Sequence, residues 1–229
     1  MRQFILLLLC LSLNAAAGDL PRRITITYDV SRGILGLGTG TEVLESDGKN
    51  YSIVSQTHPS GLAALIPKAN IRRESRGTIT AQGMRPQQFL EKRGKERPAI
   101  AKFDWEKKRI NFEREGNTES AELPTTTYDR LSIAYNFAFN PSPGKELEFS
   151  MTDGKKLSAY RYVLLGEEKL STPLGELRTL HWQKQRDAET DRGADLWLAP
   201  DHFMLPVRVV FTDKDGSRYE QIATQISYQ

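Results

Sequence analysis

The chain has 229 residues, with 32 Lys or Arg, 29 Asp or Glu and a formal net charge of +3. Such a weak net charge identifies no class of partner, and the length is sufficient for one substantial hydrophobic core. The single cysteine, Cys10, lies in an N-terminal apolar segment, which excludes disulfides and thiol chemistry in the rest of the chain. Leucines rather than small residues precede Cys10, so we expect no lipid attachment there.

Residues 1–17 have the three parts of a secretory signal peptide. Arg2 is the only charge before the apolar run at 4–13, and Ala15 and Ala17 supply the small pair of a cleavage site. The run is too short to cross a bilayer, which takes about 20 apolar residues, so we expect no membrane-spanning segment. We therefore predict cleavage after Ala17 and export to the periplasm. A buried N-terminal helix is the less favoured alternative.

Residues 20–229 are predicted to form a single β domain, because no repeat, low-complexity tract or Pro/Gly-rich linker divides them. In the first strand Ile24, Ile26 and Tyr28 alternate with polar residues, which is typical of a half-buried strand. The same pattern predicts strands over 35–43, 51–53, 69–80, 84–93, 98–104, 109–115, 145–151, 157–168, 175–186, 194–199, 206–212 and 218–227. Short turns such as Asp215-Gly216 imply antiparallel neighbours, which argues against a nucleotide-binding α/β domain.

A single helix is predicted before the strand at 145–151. Apolar residues recur there at three- and four-residue spacing, namely Tyr128, Leu131, Ala134, Tyr135 and Ala138. Thr126 or Thr127 would cap its start, Asp129 suits its first turn, and Pro141 would end it. The predicted fold class is therefore mainly β, a strongly curved antiparallel sheet or incomplete β-barrel of about ten or more strands with one amphipathic helix.

Gly36, Gly38 and Gly40 fall on one face of the second predicted strand. A phosphate-binding loop would need a helix directly after the glycines, but Thr41 to Leu44 continues the strand pattern. A stripe without side chains lets a sheet bend sharply, or lets a ligand lie close to the backbone. We favour curvature, with a ligand groove as the alternative.

The sequence contains no arrangement typical of a catalytic or metal site. His58, His181 and His202 are far apart in the chain, and no G-x-S-x-G motif occurs. The acidic residues at 187–195 alternate with arginines as in a solvated loop, and the Asp213 turn lacks the later ligands of an EF-hand. We predict no catalytic residue, no metal and no cofactor, hence a non-enzymatic protein. A hydrolase with dispersed residues is the remaining alternative.

Three features favour a site for a hydrophobic or lipid-like ligand such as lipid or lipoprotein acyl chains, and the first is the glycine stripe described above. The proline-bounded segment 59–67 is too apolar for an ordinary loop and would serve as a lid, and the helix would face the sheet. The candidate ligand contacts are Leu62, Leu65, Ile66, Leu131, Tyr135 and Phe139, with Gly36, Gly38 and Gly40. Ordinary core packing is the alternative for each of them.

Residues 68–114 are locally basic, with 14 Lys or Arg against 6 Asp or Glu. The predicted basic face consists of Arg72, Arg73, Arg76, Lys92, Arg93, Lys95 and Arg97. Such a face would bind an anionic envelope component, such as lipid headgroups, an acidic protein or a polysaccharide. Nucleic acid is not expected, because the periplasm contains little of it. The favoured alternative is that these residues are the solvated sides of strands, paired with interspersed glutamates.

Several short motifs recur in order along the chain: Tyr28-Asp29-Val30, Ser60-Gly61-Leu62, Gly83-Met84-Arg85-Pro86, Tyr128-Asp129-Arg130-Leu131-Ser132, Thr172-Pro173-Leu174-Gly175 and Trp197-Leu198-Ala199-Pro200. With them the chain resembles an uncharacterised exported proteobacterial family, catalogued as a domain of unknown function. That resemblance brings no established activity.

The C-terminal segment from Leu205 to Phe211, followed by Asp213-Lys214-Asp215-Gly216, is more weakly similar to the closing hairpin of the periplasmic lipoprotein-carrier family. That resemblance implies an incomplete β-barrel that holds acyl chains, and it assigns no ligand residues here.

Overall fold

A computed structural model describes residues 20–141, 144–186, 188 and 191–229. The predicted signal peptide, residues 1–17, lies outside the described residues. The strands are β1 Arg23–Arg32, β2 Leu35–Ser46, β3 Asn50–Pro59, β4 Ile71–Thr80, β5 Gly83–Arg93, β6 Ala99–Asp104, β7 Arg109–Arg114, β8 Asn117–Glu122, β9 Thr127–Asp129, β10 Glu146–Thr152, β11 Leu157–Thr172, β12 Gly175–Lys184, β13 Gly193–Ala199, β14 Leu205–Thr212 and β15 Arg218–Tyr228. The helix α1 is Ser132–Phe139, and two 3₁₀ segments are Gly61–Leu65 and Pro200–His202.

These 15 strands form one sheet, in the order β8-β7-β6-β5-β4-β3-β2-β1-β15-β14-β13-β12-β11-β10-β9. Neighbours are antiparallel except β9 and β10, which run parallel with Thr127 opposite Ser150. The first and last strands pair at the centre of the sheet, where Ile26 faces Ile226. The chain therefore forms a meander on each side of this central pair, and the predicted mainly antiparallel sheet is confirmed.

Strands β8 and β9 are the two edges of the sheet, yet only residues 123–126 separate them in the chain. A link of this length reaches at most about 18 Å, so the two edges must lie near each other. The sheet is accordingly curled into a deep trough that is not closed by strand pairing. Helix α1 and β9 lie inside the trough, where both contact β5.

The concave face of the trough carries the hydrophobic core. Ile24, Ile26 and Tyr28 of β1 are buried there, as predicted by their alternation with polar residues. On the other side of the trough, Trp182 packs against Phe137 of α1 with ring centroids 5.2 Å apart. Burying side chains of this size stabilises the fold by about 1.5–3 kcal/mol each.

The predicted helix begins later than the sequence pattern indicated. Tyr128 and Asp129 belong to strand β9, and the helix starts at Ser132. The prediction of a start near Thr126 or Thr127 was wrong because Asp129 is the capping residue: its Oδ1 accepts hydrogen bonds from the backbone N–H groups of Leu131 and Ser132, at 2.9 Å each. Thr127 Oγ1 instead donates to the carbonyl of Pro124 at 2.7 Å.

Two of the short strands were not predicted. Strand β8 has the sequence NTESAE and is exposed along almost its whole length, so it lacks the alternation that marks a half-buried strand. Strand β9 has three residues, all buried, which is too short for any periodicity to appear. Both strands lie at edges of the sheet, where each pairs with a single neighbour. They are strands because of this pairing, and no hydrophobic pattern in the sequence marks them.

The glycine stripe has different surroundings at its three positions. Leu37 forms a β-bulge opposite β1, since Val30 pairs with Gly38 and Ser31 pairs with Gly36. Gly38 has φ 138°, and a Cβ there would collide with the carbonyl oxygen of His58 on β3. A Cβ at Gly36 would meet nothing within 4 Å. The close approach of β2 and β3 thus requires glycine at position 38 and not at position 36.

This contrast predicts the stabilities of two matched variants. Gly38→Ala is expected to lower the free energy of unfolding by about 2 kcal/mol or more, because the added methyl group meets backbone in a strained conformation. Gly36→Ala should change it by less than about 0.5 kcal/mol. Urea unfolding followed by circular dichroism measures the stability of both variants. Equal effects of the two substitutions would contradict a close contact between position 38 and the backbone of β3.

Candidate ligand-binding site

Helix α1 is held inside the trough by a buried carboxylate. Besides capping α1, Asp129 accepts a hydrogen bond from Ser75 Oγ of β4 at 2.6 Å through its Oδ2. Ser75 Oγ in turn lies 3.2 Å from the hydroxyl of Tyr51 on β3. Burial raises the pKa of Asp129 to about 6. One side chain thus joins the start of the helix to the opposite half of the sheet.

The middle of α1 is fixed to β5 by a second contact. Asn136 Oδ1 accepts a hydrogen bond from the backbone N–H of Met84 at 2.8 Å. The adjacent Gly83 leaves space for that amide, since a Cβ at this position would collide with Asn136 Oδ1. Both contacts bring the helix toward β4 and β5, which leaves unfilled space between α1 and the strands on its other side.

That space is an apolar cavity of about 130 Å³ between α1 and strands β10 to β14. Phe149 of β10 forms its floor, with Tyr160 stacked on one side at 5.8 Å and Tyr162 at 5.5 Å between ring centroids. The remaining lining residues are Arg130, Ile133, Ala134, Phe137, Leu147, Met151, Lys184, Arg192, Gly193, Ala194, Asp195, Leu196, Val209 and Phe211. Phe211 is 47% exposed, so an aromatic ring stands at the mouth.

Arg130 lies between this cavity and a second one. It precedes the first turn of α1 and lines both spaces. Its nearest carboxylate is Asp153, at 3.8 Å, and its Nε is buried without a hydrogen-bond partner among the described residues. A buried guanidinium N–H without an acceptor is costly, so this position favours an acceptor from a bound molecule.

The second cavity, of about 140 Å³, has more polar walls. Tyr135 of α1 donates a hydrogen bond to Glu42 at 2.7 Å, and burial raises the pKa of that carboxyl group. Arg73 on the same side is ion-paired with the buried Glu91 at 2.6 Å. Burial by itself would raise the pKa of Glu91, but Arg73 and Arg93 lower it to about 2. The carboxylates Glu42 and Glu91 are therefore satisfied by structural partners, whereas the Nε of Arg130, which lines both cavities, is not.

The predicted ligand contacts do not form one site. Leu131 lines the second cavity, Tyr135 is fully buried against Glu42, and Phe139 lines an open groove at the other end of α1. Gly40 is buried beside Tyr28 and Gln221, which line the second cavity, whereas Gly36 and Gly38 lie outside it. The segment with Leu62, Leu65 and Ile66 lies against β2 and β3 with these side chains exposed, and it covers neither cavity. This position is not that of the lid that the sequence suggested.

The predicted basic residues also divide between the two faces of the sheet. Arg73 and Arg93 point into the trough toward Glu91, because they alternate along their strands with exposed neighbours. Arg72 is ion-paired with Glu74 on the exposed face, and Arg76 donates to Gln88 at 2.6 Å. Lys92, Lys95 and Arg97 are exposed. The seven residues therefore do not make a single continuous face.

Sequence reasoning missed the residues that line the apolar cavity. Leu147, Phe149 and Met151 alternate within the predicted strand 145–151, and that pattern indicated only a buried face. Tyr160 and Tyr162 lie directly opposite Phe149 and Leu147 in the β10–β11 pair. The sequence did not show that α1, β13 and β14 would face these residues across the trough. Arg130 gave no signal, since it was one charged residue within a predicted helix.

The histidines lie in separate surroundings. His181 stacks on Trp197 at 4.1 Å between ring centroids, and Arg208 lies over the same indole at 4.6 Å. The imidazole Nε2 is 2.9 Å from Asp195, which makes this cluster a closed set of partners across β12, β13 and β14. Over the described ranges, no three His, Cys, Asp or Glu side chains are grouped closely enough to hold a metal ion.

The sequence from residue 27 to residue 222 matches the family described as "Protein of unknown function (DUF3108)". This chain belongs to the DUF3108 family. Its predicted membership of a family of unknown function is thereby confirmed. No curated protein matches this DUF3108 chain significantly. Within the part of the chain that the structure describes, no helix is both long and apolar enough to span a bilayer.

Solved structures of low sequence identity are similar to this chain to different degrees. A β-barrel-like protein of the DUF1849 domain of unknown function from Brucella abortus is 11% identical, with a TM-score of 0.56 over 92% of this chain and 99% of that one. A putative outer membrane lipoprotein-sorting protein domain from Vibrio parahaemolyticus is 10% identical over 90% of this chain and 85% of that one, with a TM-score of 0.27. A DUF1329 protein from Desulfovibrio piger is 12% identical over 92% and 87%, with a TM-score of 0.25. The first structure supports the trough architecture, whereas the low TM-scores of the other two do not show a shared fold.

The burial of Asp129 predicts a pH dependence of stability. Its pKa of about 6 in the folded protein lies above the value of about 3.9 in an unfolded chain, so between these values the folded state binds more protons. This group therefore lowers the free energy of unfolding as the pH rises from 4 to 7, by about 3 kcal/mol at most. Asp129→Asn keeps the Oδ1 acceptor and removes the titration.

Denaturant unfolding of the wild type and Asp129→Asn at several pH values between 4 and 7 measures this effect. The advantage of the wild type over the variant should shrink steadily as the pH rises. Glu148→Gln, which changes an exposed carboxylate on β10, is the control and should leave the pH profile unaltered. A constant difference between the wild type and Asp129→Asn would contradict the assignment.

Proposed function

We propose that this DUF3108 protein is a non-enzymatic binding protein for an amphipathic, lipid-like molecule. The apolar part of the ligand would occupy the cavity between α1 and β10 to β14, and an anionic group would meet Arg130. The predicted signal peptide would place this binding in the periplasm. The observation that carries the proposal is an aromatic-walled cavity with a cation at its edge whose Nε has no described partner.

The size of the cavity limits what enters it. A cavity of about 150 Å³ lined by apolar side chains stays dry and binds a ring the size of benzene. The cavity here has about 130 Å³, so it accommodates one ring or the end of an acyl chain. The rest of such a ligand would leave through the mouth beside Phe211, where Lys184 and Arg192 also lie.

The charge at the edge of the cavity sets the expected chemistry of the ligand. Arg130 offers a planar set of N–H donors, which suits carboxylate or phosphate oxygens. Its Asp153 neighbour is 3.8 Å away and one-third exposed, so that pair is a weak competitor for a ligand anion. A neutral apolar molecule would leave Arg130 Nε without an acceptor.

The buried carboxylates support a binding role rather than catalysis, because each of them has a structural partner. Glu42 accepts from Tyr135, Glu91 accepts from Arg73 and Arg93, and Asp129 caps α1. Each of these carboxylates is committed to a structural partner in the folded protein. They fix the walls of the cavity and leave Arg130 as the group directed to a ligand.

Filling the cavity should weaken the binding of an apolar probe. Ala194→Phe places a ring into the space that Ala194 lines on β13, and it is expected to weaken binding of a fluorescent acyl probe about tenfold or more. Ala159→Phe is the matched control, since Ala159 is exposed on β11 next to Tyr160 and outside this cavity. Probe fluorescence titrations measure both variants. Unchanged affinity in Ala194→Phe, with its fold intact by circular dichroism, would refute the assignment of the cavity.

Removing the positive charge of Arg130 should change the selectivity of the protein for the polar end of the ligand. Arg130→Gln is expected to lower the affinity for a fatty acid about tenfold or more, since a charge-assisted hydrogen bond is lost. The affinity for the corresponding methyl ester should change little. Arg161→Gln, which removes an exposed arginine of β11 that is paired with Glu146, is the control. Equal losses for the acid and the ester would contradict a headgroup role for Arg130.

A further inference from the structure

One end of the trough carries large apolar side chains that the core does not use. Ile34, in the β1–β2 turn, is fully exposed, and Leu62 and Leu65 of the 3₁₀ segment are 76% and 78% exposed. The two turns are adjacent, because Gly38 pairs with Pro59 and the backbone N–H of Ser60 donates to the carbonyl of Leu37 at 2.9 Å. We name this surface the apolar tip; it consists of Ile34, Leu35, Leu62, Leu65 and Ile66.

The apolar tip is flanked by basic side chains at the same end of the strands. The turn between β5 and β6 rests on the segment after the 3₁₀ turn, since Gly94 N–H donates to the Asn70 carbonyl at 2.8 Å and Lys68 is ion-paired with Glu96. The basic rim consists of Arg32, Lys68, Arg72, Lys92, Lys95 and Arg97, all exposed. Across the described ranges Lys95 and Arg97 make no ion pair.

Further turns add to the positive charge of this end. Lys155, in the β10–β11 turn, lies close enough to Glu96 to contribute to its lowered pKa. Among the described residues of the rim, Lys68 pairs with Glu96, Arg72 pairs with Glu74, and Arg32 lies 3.8 Å from Asp215. No described ion pair compensates Lys92, Lys95 or Arg97, so these three residues leave the rim with a net positive charge.

We propose that this end of the protein docks on the surface of an anionic lipid bilayer. The tip residues would enter the region between headgroups and acyl chains, and the basic rim would contact lipid phosphates. The apolar side chains protrude from turns and line no groove, and β2 and β3 are paired on both sides, so no free strand edge is offered to a protein partner there. Protruding aliphatic residues within a ring of Lys and Arg fit an anionic membrane surface.

Docking would also orient the cavity toward the lipid. The strand ends that form the cavity mouth, Gly193 of β13 and Phe211 of β14, lie at the same end of the sheet as the apolar tip, since β14 ends where β15 and β2 begin. The docking surface does not depend on the proposed ligand, because none of the tip residues lines either cavity.

Vesicle co-sedimentation tests the proposal with the full chain. The wild type should sediment with vesicles of phosphatidylethanolamine and phosphatidylglycerol, and less with phosphatidylcholine vesicles or in high salt. The triple variant Ile34→Ser, Leu62→Ser, Leu65→Ser should bind about tenfold more weakly or worse. Leu165→Ser, an exposed leucine in the middle of β11, is the matched control and should bind like the wild type. All variants keep the same N-terminal segment, so the comparison isolates the tip.

A second set tests the basic rim. Lys92→Ala, Lys95→Ala and Arg97→Ala combined should lower binding to anionic vesicles about tenfold or more. The charge-matched control combines Lys107→Ala, Arg109→Ala and Lys169→Ala, which lie at the opposite end of the strands. Absence of wild-type sedimentation at low salt, or binding unchanged in both the tip and rim variants, would overturn the proposal. Both sets should keep the acyl-probe affinity of the cavity, so failure of docking and failure of ligand binding are distinguishable.

Discussion

The interior of this protein depends on a hydrogen-bonded carboxylate buried where the two halves of the trough meet. Asp129 terminates the edge strand β9, caps α1 and accepts from Ser75 on β4. A buried carboxylate costs free energy unless donors surround it, and here backbone amides and a serine hydroxyl supply them. The helix cannot shift along the trough without breaking this set of bonds. Every space on either side of α1 is defined by that position.

The anchoring of α1 on one side explains why space remains on the other. Asp129 and Asn136 draw the helix toward β4 and β5, where Gly83 allows the closest approach. The aromatic residues of β10 and β11 stack on one another, and an apolar cavity remains between these strands and α1. Packed interiors normally leave few voids, so an apolar cavity beside an arginine with a buried, unpartnered Nε is a feature that a ligand site would explain.

Three surfaces of the molecule have separate roles in this interpretation. The concave face holds the core, the two cavities and the inward-directed pair of Arg73 and Glu91. The convex face of β12 to β14 holds the closed cluster of His181, Trp197 and Arg208. The strand ends near Ile34 carry exposed apolar and basic residues. The sequence suggested one lid, at residues 59–67, and one basic face. In the structure that segment covers neither cavity, and the basic residues lie on different surfaces.

The sequence by itself determined the local patterns. Alternation in Ile24, Ile26 and Tyr28 marks a strand with one buried face, and Asp-Gly pairs mark turns, because both depend on neighbours along the chain. The antiparallel fold and the helix near Tyr135 followed from such signals, whereas the family followed from the resemblance carried by short motifs along the chain. The helix start did not, since the choice between Thr127 and Asp129 as the cap depends on which backbone amides come within reach of each side chain.

Only the tertiary structure decided which residues face one another. β1 and β15, the first and last strands, pair at the centre of the sheet, and the link 123–126 brings its edges together. No local pattern encodes the pairing of β1 with β15, because these strands are separated by most of the chain. No local pattern shows either that Arg130 and Phe149 line one cavity or that Leu62 lies outside it. Periodicity indicates which side of a strand is buried, and the curvature of the whole sheet determines what lies opposite it.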